Sequence, residues 1–217
     1  MTGGTISNNT CHKDGGGVYN YPNAEINMDN GTITGNTANV SGGGIYSNGK
    51  FNMNGGNINN NVSLSPTYGG GGVCINGNKF TMNGGDISNN TANKFGGGVY
   101  LYSGTFEAIK GTITNSNTAA VGSGVYYDNG TFNVIGDINA QNVYLATSKS
   151  ISIIGNLTNG ASISIQNADG AGVGRIIAQG IGYTLNPNDI NKLSLGSALS
   201  GRYGLRFDNG NNRIVLS

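Results

Sequence analysis

Tyrosines are the side chains whose type and spacing most invite a functional reading. Tyr19, Tyr46, Tyr100, Tyr126 and Tyr144 each follow a valine or isoleucine at one phase of a recurring Gly-Gly-Gly-Val/Ile-Tyr segment or its worn forms. If the aliphatic residue points inward on a strand, alternation turns the phenol outward. An outward aromatic row can stack on sugar rings or on a protein partner. These five tyrosines are therefore the candidate ligand-binding residues, for a glycan or a protein. The competing reading is structural: the phenols pack beneath the turns and strengthen the sheet by neighbour stacking.

Catalytic groups are sparse. His12 is the single histidine and lies beside Cys11, Lys13 and Asp14. Adjacent residues in an extended turn point apart, so Cys11 and His12 make a poor nucleophile–base pair. A zinc site would need more His or paired Cys ligands than the chain offers. Among the acids, Asp86 and Asp137 take equivalent places in their repeats, with Thr112 between them. Two coils separate them, about 10 Å at about 4.8 Å per coil, near the upper end of an inverting glycosidase pair. Glu107 follows on a neighbouring strand. The four arginines all lie at or beyond Arg175, so the repeats lack the basic groups a polysaccharide lyase needs. The expectation is no catalytic residue, no metal and no cofactor. The alternative kept open is a lyase or glycoside hydrolase on the same fold. A lesser alternative is ice binding, from the rows Thr5/Ser7, Thr32/Thr34 and Thr112/Thr114. Asn57/Asn59, Asp86/Ser88 and Asp137/Asn139 interrupt those rows.

The elements that position these residues follow from a repeat. The first isoleucine of each copy falls at Ile6, Ile33, Ile58, Ile87, Ile113 and Ile138, with steps of 27, 25, 29, 26 and 25 residues. Each copy holds three short alternating segments separated by Gly/Asn turns, a strand pattern rather than a helical one. Strands this short form a solenoid in which each pairs in parallel with its copy one coil on. The fold class is all-β: a single-stranded parallel β-helix of about six coils of three strands, right-handed by the general rule for parallel crossovers. Three inward ladders are expected. One is Ile6 through Ile138; the second is Val18, Ile45, Val73, Val99, Val125 and Val143; the third is Ile26, Phe51, Phe80, Phe106, Phe132 and Ile151. Asn9, Asn36, Asn61 and Asn90 form a polar column, with Ser116 breaking it. Cys11 falls with Ala38, Ser63 and Ala92, whereas Cys74 falls in the tyrosine column, so a disulfide is not expected.

Composition agrees. Glycine supplies 40 of 217 residues, against roughly 7% in average usage, as turns repeated every coil demand. Charged residues make up 10% and the net charge is +1, which excludes the clustered basic patch of a nucleic-acid binder. No stretch is long and apolar enough for a membrane-spanning helix. The opening Met1-Thr2-Gly3-Gly4-Thr5 is no signal peptide. It lies inside a repeat, so the chain reads as a segment of a longer protein. From Asn167 the composition changes. Asn186-Pro187-Asn188-Asp189 reads as a helix start, and Tyr203 to Leu216 as a β-hairpin around Asp208-Asn209-Gly210. The division is residues 1–166 as β-helix and 167–217 as a cap, which solenoids need.

Ile33-Thr34-Gly35-Asn36-Thr37-Ala38 followed by Gly42-Gly43-Gly44-Ile45-Tyr46 resembles the paired short motifs of polymorphic outer membrane protein repeats. Ile87 to Ala92 with Gly96 to Tyr100 is similar. More broadly, residues 3–154 resemble adhesin-like right-handed β-helix proteins of host-associated microbes. The resemblance implies secretion or surface display as part of a larger protein, adhesion rather than catalysis, and no catalytic residues to carry over.

Overall fold

The computed structural model describes all 217 residues. They form an all-β solenoid of about seven turns, with strands stacked in parallel from coil to coil. Alternation sets the register. Ile6, Ile33, Ile58, Ile87 and Ile113 pair one above the next. So do Val18, Ile45, Val73, Val99, Val125 and Val143, and Ile26, Phe51, Phe80, Phe106 and Phe132. From the second coil onward these residues are fully buried, while Ile6, Val18 and Ile26 are only partly covered. The phenylalanine rings follow one another at centroid separations of 5.1, 5.1 and 4.9 Å, close to the strand spacing of about 4.8 Å. Each pair adds about 0.5–1.5 kcal/mol beyond simple burial.

The asparagine column is a hydrogen-bonded spine, exposed at Asn9 and buried from Asn36 to Asn117. Each Oδ1 from Asn36 to Asn117 accepts both the backbone N–H and the Nδ2–H of the asparagine one coil earlier, at 2.9–3.1 Å. The Nδ2 groups of Asn61 and Asn90 also donate to the carbonyls of Ile33 and Ile58, both at 2.9 Å. Burying these amides is tolerable because their partners are present in every coil. The fifth member is Asn117 rather than a break at Ser116, because that turn carries one extra residue. The residue before the spine sits in the left-handed region: Asn8, Gly35, Asn60 and Asn89 have φ of 57, 66, 56 and 55°. Asn and Gly are the types that visit it at least cost.

Each of the first five coils holds a fourth strand that the three-strand reading omits. Thr10–Cys11, Thr37–Ala38, Val62–Ser63, Thr91–Phe95 and Thr118–Val121 make a separate five-stranded parallel sheet. Most are too short for alternation to show. This sheet explains the middle glycine of the triad. A Cβ on Gly43 would lie 2.4 Å from the Val62 carbonyl oxygen of the next coil, and Gly97 would meet Thr118 in the same way. The equivalent residue in the fifth coil is Ser123, and the sixth coil has no such strand to obstruct it.

Beyond residue 136 the register moves. Ile113 pairs with Ala140, and Gly111 with Ile138. The expected Ile113–Ile138 rung is thus displaced by two residues, and Ala140, Ile163 and Leu193 continue the ladder. The sixth coil lacks the asparagine turn and the glycine triad, so only Gln141 and Asn142 separate Ala140 from Val143. A slip of two keeps the same side chains inward, and Ile138 and Ala140 are both fully buried.

Parallel rungs also continue past Asn167. Ile176–Gly180 pairs with Ile151–Leu157, and Leu193–Leu195 with Ser162–Ala168. The C-terminal segment therefore adds to the solenoid as well as closing it. Asn186 caps the helix Pro187–Ile190, with Asp189 completing a capping box. Leu205–Asp208 and Arg213–Leu216 form the antiparallel hairpin, which also pairs antiparallel with Ile176–Gly180.

Candidate functional site

Tyr19, Tyr46, Cys74, Tyr100, Tyr126 and Tyr144 stack in register on the strand face opposite the valine ladder. Solvent access differs along the column. Tyr19 is 40% exposed, Tyr46 and Tyr144 are half-buried, and Tyr100 and Tyr126 are only 3% and 9% exposed. The cause is local. Phe95 and Val121, from the strands preceding the fourth and fifth glycine triads, fold over the column. The Phe95 ring lies 4.4 Å from Tyr126 at 14°. Cys74, Tyr100, Tyr126 and Ala146 thereby make a second small apolar layer outside the main core.

Four of the five phenols are hydrogen-bonded. The hydroxyl of Tyr19 accepts from Asn48 Nδ2 at 2.9 Å, and that of Tyr46 from Asn76 Nδ2 at 2.5 Å. Tyr100 donates to Asp128 at 3.0 Å, and Tyr144 donates to Asp169. Burial, reinforced by nearby carboxylates, pushes Tyr126 and Tyr144 up to about 12. Burial raises Tyr46 and Tyr100 further. All four stay neutral at physiological pH, so the column offers aromatic surface and not acid–base chemistry.

One rung lacks a ring. At Cys74 the column loses its phenol, and a cavity of about 300 Å³ opens between Tyr46 and Tyr100. Tyr68 and Tyr102 stand at its side, and Asp14 and Asn76 also line it. Asp14 is the first coil's contribution; its Oδ1 accepts the Ser41 N–H at 3.0 Å. Burial holds the Asp14 carboxyl above its usual range, offset in part by Ser41 and Lys13. Nothing in the spacing of the tyrosines alone reveals Tyr68 or Tyr102. The signal that was available is the single substitution of cysteine in an otherwise aromatic column.

The other candidate groups do not converge. Asp86 pairs with Thr112, whereas Asp137 pairs with Lys110, so the register slip takes the two aspartates out of one column. Glu107 is held in an ion pair with Lys79 at 2.7 Å. His12 is exposed, with Nδ1 3.4 Å from Asn39 Nδ2. Cys11 and Cys74 are free thiols on different sheets, and burial drives the Cys74 thiol well above its ordinary value. No group of three His, Cys, Asp or Glu side chains is placed to hold a metal ion. A larger groove of about 930 Å³ beside the helix Pro187–Ile190 is lined almost wholly by polar residues, with Leu157 its single hydrophobic one. Thr32 lies between Thr5 and Asn57, so the threonine row is interrupted from the third coil.

No protein-family model, curated protein or solved structure matches this chain. The fold itself defines the class: a parallel β-solenoid repeat protein. No helix is long and apolar enough to cross a membrane.

Proposed function

We propose that this solenoid is a non-catalytic recognition domain, adhesin-like and akin to right-handed β-helix surface proteins, displayed outside the cell as part of a larger protein. The observation that carries the reading is the outward tyrosine column with its one vacant rung, set on a scaffold whose spine and ladders repeat rigidly. Tyr19, Tyr46 and Tyr144 keep accessible ring surface, while Tyr100 contributes at the cavity wall. Such amphipathic rings stack on a glycan or a protein surface with little loss of side-chain entropy.

A glycan array and a host-surface binding assay, run beside a panel of polysaccharide hydrolase and lyase substrates, test it. The expected result is saturable binding without product release, lowered by Tyr19→Ala and Tyr46→Ala. Turnover of any polysaccharide, or binding indifferent to both substitutions, overturns it.

A further inference from the structure

The vacant rung has a chemistry of its own. Tyr46 and Tyr100 both pair with Cys74, one on each side. Two coils separate the two residues, about 9.6 Å at about 4.8 Å per coil. Half of that is about 4.8 Å, inside the roughly 6 Å reach of a cation–π contact. The rings at the side are set at angles to one another. Tyr102 lies 5.6 Å from Tyr100 at 58°, and Tyr68 lies 6.1 Å from Tyr102 at 88°. Four phenols therefore bound the cavity from several directions, as in a cage rather than a flat platform.

Four of the polar side chains there, Asp14, Tyr46, Asn76 and Tyr100, are already engaged, while the Tyr68 and Tyr102 hydroxyls are free. Asn76 Nδ2 donates to Tyr46, Asn76 Oδ1 accepts from Ser103, Tyr100 donates to Asp128, and Asp14 accepts from Ser41. A polyhydroxylated ligand would find few free partners among them. Asp14 has no ion-pair partner; the molecule's ion pairs are Lys50–Glu25 and Lys79–Glu107. No cationic side chain lines the cavity. Aromatic faces, one unpaired carboxylate and few free hydrogen-bonding groups together suit a cation that needs no hydrogen bonds.

We propose that the cavity opened by Cys74 binds a methylated ammonium group, caged by Tyr46, Tyr68, Tyr100 and Tyr102 and neutralised by Asp14. This deepens the reading of the tyrosine face as a recognition surface and rests on it. The ligand class is a quaternary ammonium head, free or carried on a larger surface molecule.

The test is a titration of the whole chain with choline and with its uncharged carbon isostere, 3,3-dimethylbutan-1-ol, followed by calorimetry and by tyrosine fluorescence, which no tryptophan obscures. Choline should bind saturably, and the isostere about tenfold more weakly or worse, the scale of a desolvated cation–π contact. Cys74→Tyr, which restores the column and fills the gap, should abolish choline binding. Tyr102→Ala and Asp14→Asn alter side chains at the cavity rim, outside the main core, and should each weaken binding at least severalfold. They keep the test decisive if Cys74→Tyr folds poorly. No saturable choline binding, equal binding of the isostere, or binding untouched by Tyr102→Ala and Asp14→Asn overturns the inference. Glycan-array binding by a parent chain that does not bind choline would sink the cage and leave the recognition face standing. Silence in both assays removes both.

Discussion

The first five coils and the segment from Asp137 to Ser217 solve the same problem differently. In the first four, one turn recurs: a left-handed Asn or Gly, then the spine asparagine, then a strand that packs under the glycine triad; the fifth keeps the asparagine and the strand but has Ser116 before Asn117. Every coil satisfies the polar groups of its neighbour, so the cross-section is copied faithfully. After Asn117 the spine has no further member, the five-stranded sheet ends, and the chain passes from ladder to ladder in three residues at Ala140–Val143. Register then slips by two, with Gly111 opposite Ile138 and Ile113 opposite Ala140. What holds the later coils is aliphatic packing plus single, non-repeated polar clamps. Repetition of a hydrogen-bonded turn, and not of the apolar ladders alone, is what makes a solenoid regular.

The largest expected effect breaks the spine. Asn61→Leu removes an acceptor used by the Asn36 backbone and side chain, and a donor to Ile33 and Asn90. Two buried N–H groups lose their partner at about 1–3 kcal/mol each, so a loss of about 4 kcal/mol is expected in urea unfolding. An unchanged midpoint would contradict a spine that bears load. Next comes the glycine triad. Gly97→Ala drives a methyl toward the Thr118 carbonyl, whose backbone cannot move freely, and should cost about 1–3 kcal/mol. Ser123→Ala, at the same phase in the fifth coil, should change the same midpoint by under about 0.5 kcal/mol. Equal penalties would mean that the strand in the following coil is not what selects glycine.

How much was legible follows from the same division. The three ladders and the parallel stacking could be read because Ile, Val and Phe recur at a fixed phase through five coils, and period 2 leaves one choice of face. The fourth strand could not, since Thr37–Ala38 is two residues long and carries no pattern. The Ile113–Ile138 rung was misplaced because an inward isoleucine exists at both the expected and the slipped register; only the short Gln141-Asn142 link decides between them. Ser116 was mistaken for the spine position because a one-residue insertion shifts the count. The tyrosine column was readable, but its burial was not, since Phe95 and Val121 end strands of unequal length. The cavity depended on Tyr68 and Tyr102, which obey no repeat.

A smaller effect probes a clamp of the later region. Arg175 is half-buried and donates to the backbone carbonyls of Asp169, Ile176, Ala146 and Lys149 at 2.5–3.2 Å. It ties the last turns together where no spine exists. Arg175→Ala should cost about 2 kcal/mol, and hydrogen exchange should accelerate in Ile176–Gly180 and Arg213–Leu216 while the amides of Val73–Met82 stay protected. Uniform acceleration along the chain would show that both regions unfold as one unit.

The smallest effect is a matter of sign. Burial at the cavity raises the Asp14 carboxyl above its ordinary value of 3.8, with Ser41 and Lys13 pulling the other way. Tyr46 and Cys74, the titratable groups that feel this charge, are pushed upward chiefly by burial and further by it, and stay neutral. The folded chain therefore holds the Asp14 proton more tightly than the unfolded chain does. Linkage then requires this residue to favour folding as pH falls through its raised value toward 3.8, and to oppose folding slightly above that window. Asn at this position can still accept the Ser41 N–H but carries no charge. Asp14→Asn should thus be as stable as the parent or marginally more so at pH 7, with the difference shrinking as the pH is lowered to 3. A gap in melting temperature that widens on acidification would mean that Asp14 is stabilised as an anion in the fold, and that a cation already present on the chain satisfies it.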